Sequence, residues 1–185
     1  MSFSTPLRFV TSAAFSPDGA LLAVGSRNSS IHVWRVSTGE QLTILQGHTG
    51  WVRALAFSPD GRTLASASSD MAAHLWDVAP GTVLHTFQGH SQGVESVAFS
   101  PDGSTVATAS CDGTMCLWSA SSGVQLFRTG GRAEAVGRIG VPRQRSHDDP
   151  WEAEAGMVFT QPSRTSSCPL AQRARIQNQG SSSTP

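Results

Sequence analysis

The pentapeptide Phe-Ser-Pro-Asp-Gly occurs three times, at Phe15–Gly19, Phe57–Gly61 and Phe99–Gly103, each copy beginning 42 residues after the one before. Trp34, Trp76 and Trp118 keep that period, as do Ala23, Ala65 and Ala107, and Ser26, Ser68 and Ser110. Gly47-His48 returns as Gly89-His90. A fixed period of this length marks an array of like units, none able to bury its apolar surface alone, so that stability comes from stacked neighbours. No other feature of the chain narrows the fold as far.

Within a unit the signals are those of short strands. In the second copy Val52–Phe57 is small, apolar and partly alternating, as in a buried strand. Ser58-Pro59-Asp60-Gly61 suits a type I turn, with Pro pre-setting φ at the second position and Gly closing the fourth. Thr63–Ser68 is the next strand, rich in small side chains that let sheets approach closely. A polar turn at Ser69-Asp70 leads into His74-Leu75-Trp76, and Val83–Phe87 follows the Pro80-Gly81 turn signal. Sustained helical periodicity is absent, so the chain reads as all-β.

The register stops near residue 131, because the next Phe of the repeat would fall on Val141, followed by Pro142 and Arg143. Residues 131–185 are rich in Gly, Ser, Arg, Gln and Pro and read as a disordered tail. Within it, Trp151–Phe159 is the one stretch with a short-helix or docking character, against the plainer reading of solvated chain. The start of the chain has neither the basic opening nor the apolar run of a signal peptide, and no apolar stretch reaches the ~20 residues that span a bilayer. A soluble intracellular protein, cytoplasmic or nuclear, is expected. The formal net charge is zero, and up to residue 130 six Arg face eight acidic residues. No basic face favouring nucleic acid follows from that balance.

The Phe-Ser-Pro-Asp-Gly turn, the Gly-His pair, the Asp six residues before Trp and the Trp76-Asp77 dipeptide resemble WD40 repeats, over about residues 8–130. The resemblance implies a partial β-propeller of three four-stranded antiparallel blades, at about 8–46, 47–88 and 89–130. Residues 1–7 then form a leader or part of an outer strand. It also implies a buried hydrogen-bond network of His, Ser or Thr, Asp and Trp in each blade. The second unit supplies His48, Ser66 or Ser68, Asp70 and Trp76; the third supplies His90, Thr108 or Ser110, Asp112 and Trp118. The first has Pro6 and Asn28 where the His and Asp belong, and reads as degenerate or incomplete. Propellers close with about four to eight blades, so three leave two blade faces uncovered. A truncated form of a larger propeller is expected, with a ring completed by another chain as the other arrangement.

Three sharper chemical readings compete with these structural ones. His48, Ser66 or Ser68, and Asp70 are the residue types of a Ser-His-Asp triad, yet the set recurs one blade later, which is unusual for a catalytic centre. His32, His74 and Cys116 share one repeat position but lie on successive blades, about 10 Å apart, whereas zinc holds its ligands at about 2.0–2.3 Å. Gly19, Gly61 and Gly103 sit in strand-to-strand turns and not in a phosphate loop. No cofactor, metal or catalytic residue is assigned.

Strand order places the His-bearing connection and the Asp-bearing turn at one end of each blade. In this family that end commonly binds partners. Its non-repeating residues are Phe9, Arg27, Trp51, Arg53 and Glu95, and Trp and Arg are favoured interface anchors. A non-catalytic scaffold that binds proteins or peptides is expected, with self-association or another propeller chain covering the open faces. The alternatives are a truncated product without independent binding, and a nucleic-acid-associated propeller subunit.

Overall fold

The computed structural model describes residues 9–129, together with two short strands, Arg138–Gly140 and Val158–Thr160. Residues 9–129 form three four-stranded antiparallel sheets. The first holds β1 (Val10–Phe15), β2 (Leu21–Ser26), β3 (Ser30–Arg35) and β4 (Glu40–Gln46). The second holds β5 (Val52–Phe57), β6 (Thr63–Ser68), β7 (Ala73–Asp77) and β8 (Thr82–Phe87). The third holds β9 (Val94–Phe99), β10 (Thr105–Ser110), β11 (Met115–Ser119) and β12 (Gln125–Arg128). Each is an up-and-down meander in chain order, the blade that the repeat called for.

The pentapeptide turns form as their residues dictate. Gly61 N–H donates to the Ser58 carbonyl at 2.9 Å, and the same bond closes Ser16–Gly19 and Ser100–Gly103. The glycine in all three has φ near +70°, the left-handed region where a Cβ is costly. Asp60 locks its turn by accepting the Ser58 hydroxyl at 2.6 Å and the Arg62 N–H at 3.0 Å.

Stacking follows from alternation along the strands. β1, β5 and β9 lie side by side and are the inner strands of successive blades. One face of the first blade (Ala23, Ile31, Val33, Leu45) packs on Val52, Leu64, Trp76 and Val78 of the second. The second repeats this with Ala65, Ala67, Ala73, Leu75 and Phe87 against Val94, Phe99, Val106 and Trp118 of the third. Phe87 and Trp118 stack at 5.1 Å between centroids. The small residues of β6 are thus what brings two sheets together.

The ends of the stack differ from its middle. Phe99 is 5% exposed, but Phe15, at the same repeat position in the first blade, is 62% exposed. Val52 and Val94 are fully buried while their counterpart Val10 is 55% exposed. Phe127, on the outer strand of the last blade, is 52% exposed.

One expectation needs adjusting. The first blade forms a complete four-stranded sheet in spite of its departures from the motif, because strand formation rests on alternation and turns, which it keeps, and not on the missing His. In the tail, Arg138–Gly140 (β13) and Val158–Thr160 (β14) pair antiparallel, and β13 lies beside β9 and β10 of the last blade. Of the Trp151–Phe159 stretch, only its last two residues, within β14, belong to the described part, and they are extended and not helical. The rest of the expected disordered tail, and the leader 1–7, lie outside the described residues. No helix among the described residues is long and apolar enough to cross a membrane.

Candidate partner-binding face and the network beneath it

In the second blade, Trp76 Nε1–H donates to Ser66 Oγ at 2.8 Å, and Ser66 Oγ lies 2.7 Å from His48 Nε2. His48 Nδ1 is 2.8 Å from Asp70 Oδ2. One proton arrangement satisfies every group: indole to hydroxyl, hydroxyl to imidazole, imidazole to carboxylate. Asp70 also accepts the N–H groups of Thr49 at 2.9 Å and Ala72 at 3.1 Å, which ties the inter-blade connection to the β6–β7 turn. Burial pushes the Asp70 carboxyl upward, but these hydrogen bonds outweigh it and hold the group below the usual carboxylate range.

The third blade repeats the chain with Trp118, Thr108, His90 and Asp112 at 2.9, 2.9 and 3.2 Å. Ser66 and Thr108 are therefore the hydroxyl members. Ser68 and Ser110 serve the turn beside them, each accepting the N–H of the following Asp70 or Asp112. In the first blade a smaller set replaces the network: Asn28 accepts from Ser26 and Ser30, and Ser30 meets His32 Nε2 at 3.0 Å.

The order Ser66–His48–Asp70 has the connectivity of a nucleophilic triad, but its chemistry is closed. Ser66 is fully buried, and its oxygen already accepts the indole N–H. Ligand atoms of His48, Asp70 and His74 lie within 4.8 Å of one another. Both His48 nitrogens are engaged in the network, and His74 Nδ1 is bonded to Thr86 at 3.0 Å, so binding a cation there would dismantle the blade's own clamp. Burial and the neighbouring His48 push the His74 pKa down to about 4, which keeps that imidazole neutral.

Above the network, the five residues singled out at this end converge. The Arg27 guanidinium carbon lies 4.5 Å from the Trp51 ring centroid and 5.5 Å from that of Phe9. The Arg53 guanidinium carbon lies over the same indole, 5.1 Å from its centroid, and Arg53 Nε is 3.5 Å from Glu95 Oε1. Phe9, Arg27, Trp51, Arg53 and Glu95 thus make one continuous strip across three blades. Trp51 remains 41% exposed, and its backbone N–H donates to Ser69 Oγ at 2.7 Å.

A repeated irregularity of the backbone sets up the strip. The pairing of β5 with β6 skips Arg53 (Val52 faces Ser68 and Ala54 faces Ala67), and the same skip occurs at Thr11 in β1 and at Glu95 in β9. Each inner strand therefore carries a β-bulge, which bends the strand and re-aims the extra residue. That is why Arg53 and Glu95 meet across two blades at the rim.

The sequence matches the family described as WD domain, G-beta repeat over residues 2–35, 39–77 and 81–119, which together exceed half of the chain. The chain belongs to the WD repeat family. Among known proteins, this WD repeat chain is 55% identical over 47 residues to the probable serine/threonine-protein kinase PkwA of Thermomonospora curvata, a match covering 25% of this chain and 6% of that protein. It is 49% identical over 49 residues to the nuclear distribution protein PAC1 of Coccidioides posadasii, covering 25% of this chain and 10% of the relative. Among solved structures, U3-55K and the RRP9 WD40 repeats each superpose with a TM-score of 0.69 at 25% identity, covering 74% of this chain and 43% and 42% of theirs. The WD repeat chain therefore spans less than half of those propellers and a tenth or less of these curated relatives. WD repeat propellers are generally scaffolds that bind other proteins.

Sequence reasoning missed one feature of the opposite end. A cleft of about 410 Å³ opens between the second and third blades, lined by Pro59, Asp60, Leu84, Asp102 and Ala120 among others. Its carboxylates are held by their own turns: Asp102 accepts the Ser100 hydroxyl and the Ser104 N–H, which draw its pKa down to about 2. They serve the pentapeptide turns of the WD repeats first.

Proposed function

We propose that this WD repeat module is a non-catalytic, intracellular interaction scaffold whose partner surface is the strip Phe9–Arg27–Trp51–Arg53–Glu95. The observation that carries the reading is the convergence of five non-repeating side chains from three blades, beside an inner network that is buried and fully hydrogen-bonded. Trp and Arg are the side chains that most often dominate binding energy at interfaces, and here the indole is braced by two guanidiniums and half open to solvent. The blades span less than half of the propellers they match, which supports reading them as a portion of a ring. The exposed Val10, Phe15 and Phe127 are then covered by further blades of the same or another chain.

Quantitative affinity capture with the full chain tests the surface. Partners retained by the unmodified protein should be lost with the double variant Trp51→Ala and Arg53→Ala, and kept with Leu84→Ser at the far end, both variants showing unchanged circular dichroism. If the Trp51 and Arg53 variant retains every partner, Trp51 packs on its neighbouring loop for structural reasons alone and the surface lies elsewhere.

A further inference from the structure

We infer that the strip recognises an acidic protein segment, one whose Asp or Glu carboxylate docks in the plane of the Arg27 guanidinium with an apolar neighbour against Phe9 and Trp51. This rests on the strip being the partner surface and assigns the chemistry of what it binds. Four observations point the same way.

Arg27 is exposed, and among the described residues no carboxylate lies within ion-pair distance of it; the ion pairs here are those of Arg35, Arg53, Arg128, His48 and His90. Its guanidinium carbon lies over the Trp51 ring at 4.5 Å and over the Phe9 ring at 5.5 Å. A guanidinium held over aromatic rings keeps N–H donors to offer, and its fork fits a carboxylate in two-point fashion. The charge is thus positioned in advance and uncompensated.

Arg53 is only partly compensated. Its Nε is shielded from solvent yet makes no hydrogen bond, and the 3.5 Å separation from Glu95 is an ion pair longer than a hydrogen bond. The other carboxylates of this end, Asp70 and Asp112, are committed to His48, His90 and backbone N–H groups. Among its described residues the strip therefore presents two cations, Arg27 and Arg53, and one available anion, Glu95, next to the half-open Trp51 and to Phe9, which is 67% exposed at a backbone φ of +67°.

The extent of the charge separates a carboxylate from a nucleic-acid backbone. A phosphate-backbone interface of about 6–10 contacts calls for more cations than the two that the described residues of the strip offer, within a region of six Arg and eight acidic residues. A short planar acid fits that number.

Fluorescence anisotropy of the full chain with labelled twelve-residue probes tests the assignment. The probes are a Glu- and Leu-containing acidic peptide, its Gln isostere, a Lys counterpart and a single-stranded RNA oligonucleotide. The acidic peptide should bind at least about tenfold tighter than the Gln isostere, since a charge-assisted hydrogen bond is worth about that factor. Arg27→Gln should remove that preference, and Arg27→Lys should restore only part of it, because an ammonium lacks the fork. Glu95→Gln should tighten acidic binding several-fold by releasing Arg53; weaker binding with Glu95→Gln would mean that Glu95 itself meets a basic partner. Equal binding of the Gln isostere that still depends on Trp51 would overturn the acidic assignment and leave the strip as the partner surface. An Arg27-dependent preference for RNA, or no acidic binding up to millimolar peptide, also overturns it. Binding of every probe that is indifferent to Trp51→Ala as well as to Arg27→Gln removes both readings together.

Discussion

Replacing Ser66 with Ala deletes one oxygen and orphans two buried groups. The Trp76 indole N–H loses its acceptor at 2.8 Å, and His48 Nε2 loses its donor at 2.7 Å. Trp76 is 1% and His48 7% exposed, so neither is compensated at the surface. A buried polar group left unpaired costs about 1–3 kcal/mol. Some relaxation is shared between two adjacent groups, which places the cost of Ser66→Ala at about 2–4 kcal/mol. Ser68→Ala, on the same strand and equally buried, removes one hydrogen bond from the Asp70 N–H and should cost about 1 kcal/mol. Ser66→Thr keeps the hydroxyl, as Thr108 does in the third blade, and should recover most of the loss. Urea denaturation of the full chain, followed by Trp fluorescence and fitted with a common slope, measures all three. If Ser66→Ala and Ser68→Ala fall within about 0.5 kcal/mol of each other, the shared hydroxyl does not hold the blade as argued.

Two further predictions follow from burial and charge. The His74 pKa is pushed down, by burial and then by His48, from 6.5 to about 4 in the folded chain; Asp70, facing it, opposes that shift, and Thr86 holds Nδ1. The unfolded chain therefore takes the proton first, and stability should fall as pH drops from about 6.5 towards 4, by about 1–2 kcal/mol once solvent access at the rim is allowed for. His74→Gln should flatten the urea midpoint in that window, though not fully, because burial lowers the His90 pKa too; identical slopes for both proteins would discard the assignment. The second prediction compares one repeat position in two settings. Phe99→Ala should cost about 3–5 kcal/mol as a core truncation, while Phe15→Ala, at 62% exposure, should cost under about 1 kcal/mol; equal losses in calorimetry would mean that the first blade's open face is covered in solution.

Most of the fold was legible in the residues because the repeat is local. A 42-residue period, alternating apolar positions and a turn whose Ser, Pro, Asp and Gly each have a backbone reason are enough to define strands, turns and blades. The types of the network residues were legible too, since the same four recur at fixed offsets. Their membership was open at one point: Ser66 and Ser68 lie two apart on one strand and so face the same side. The choice fell to the sheet register, which sets Ser66 opposite His74 and Leu64 opposite Trp76, so that the indole N–H reaches Ser66.

The rim shows where sequence stops. It identified Phe9, Arg27, Trp51, Arg53 and Glu95 as residues that break the repeat at the His and Asp end, and nothing in their spacing said that they touch. Their contacts depend on bulges at Thr11, Arg53 and Glu95, and a bulge is a mismatch between two strands, which neither strand carries alone. They depend also on the stacking of adjacent blades, which brings the Arg27 guanidinium from the first blade onto an indole from the second. By itself the sequence determined the unit and its repetition, because those are fixed by interactions within 42 residues. Only the tertiary structure decided which side chains of different units share one surface, because that is set by how far each sheet turns and advances against the next.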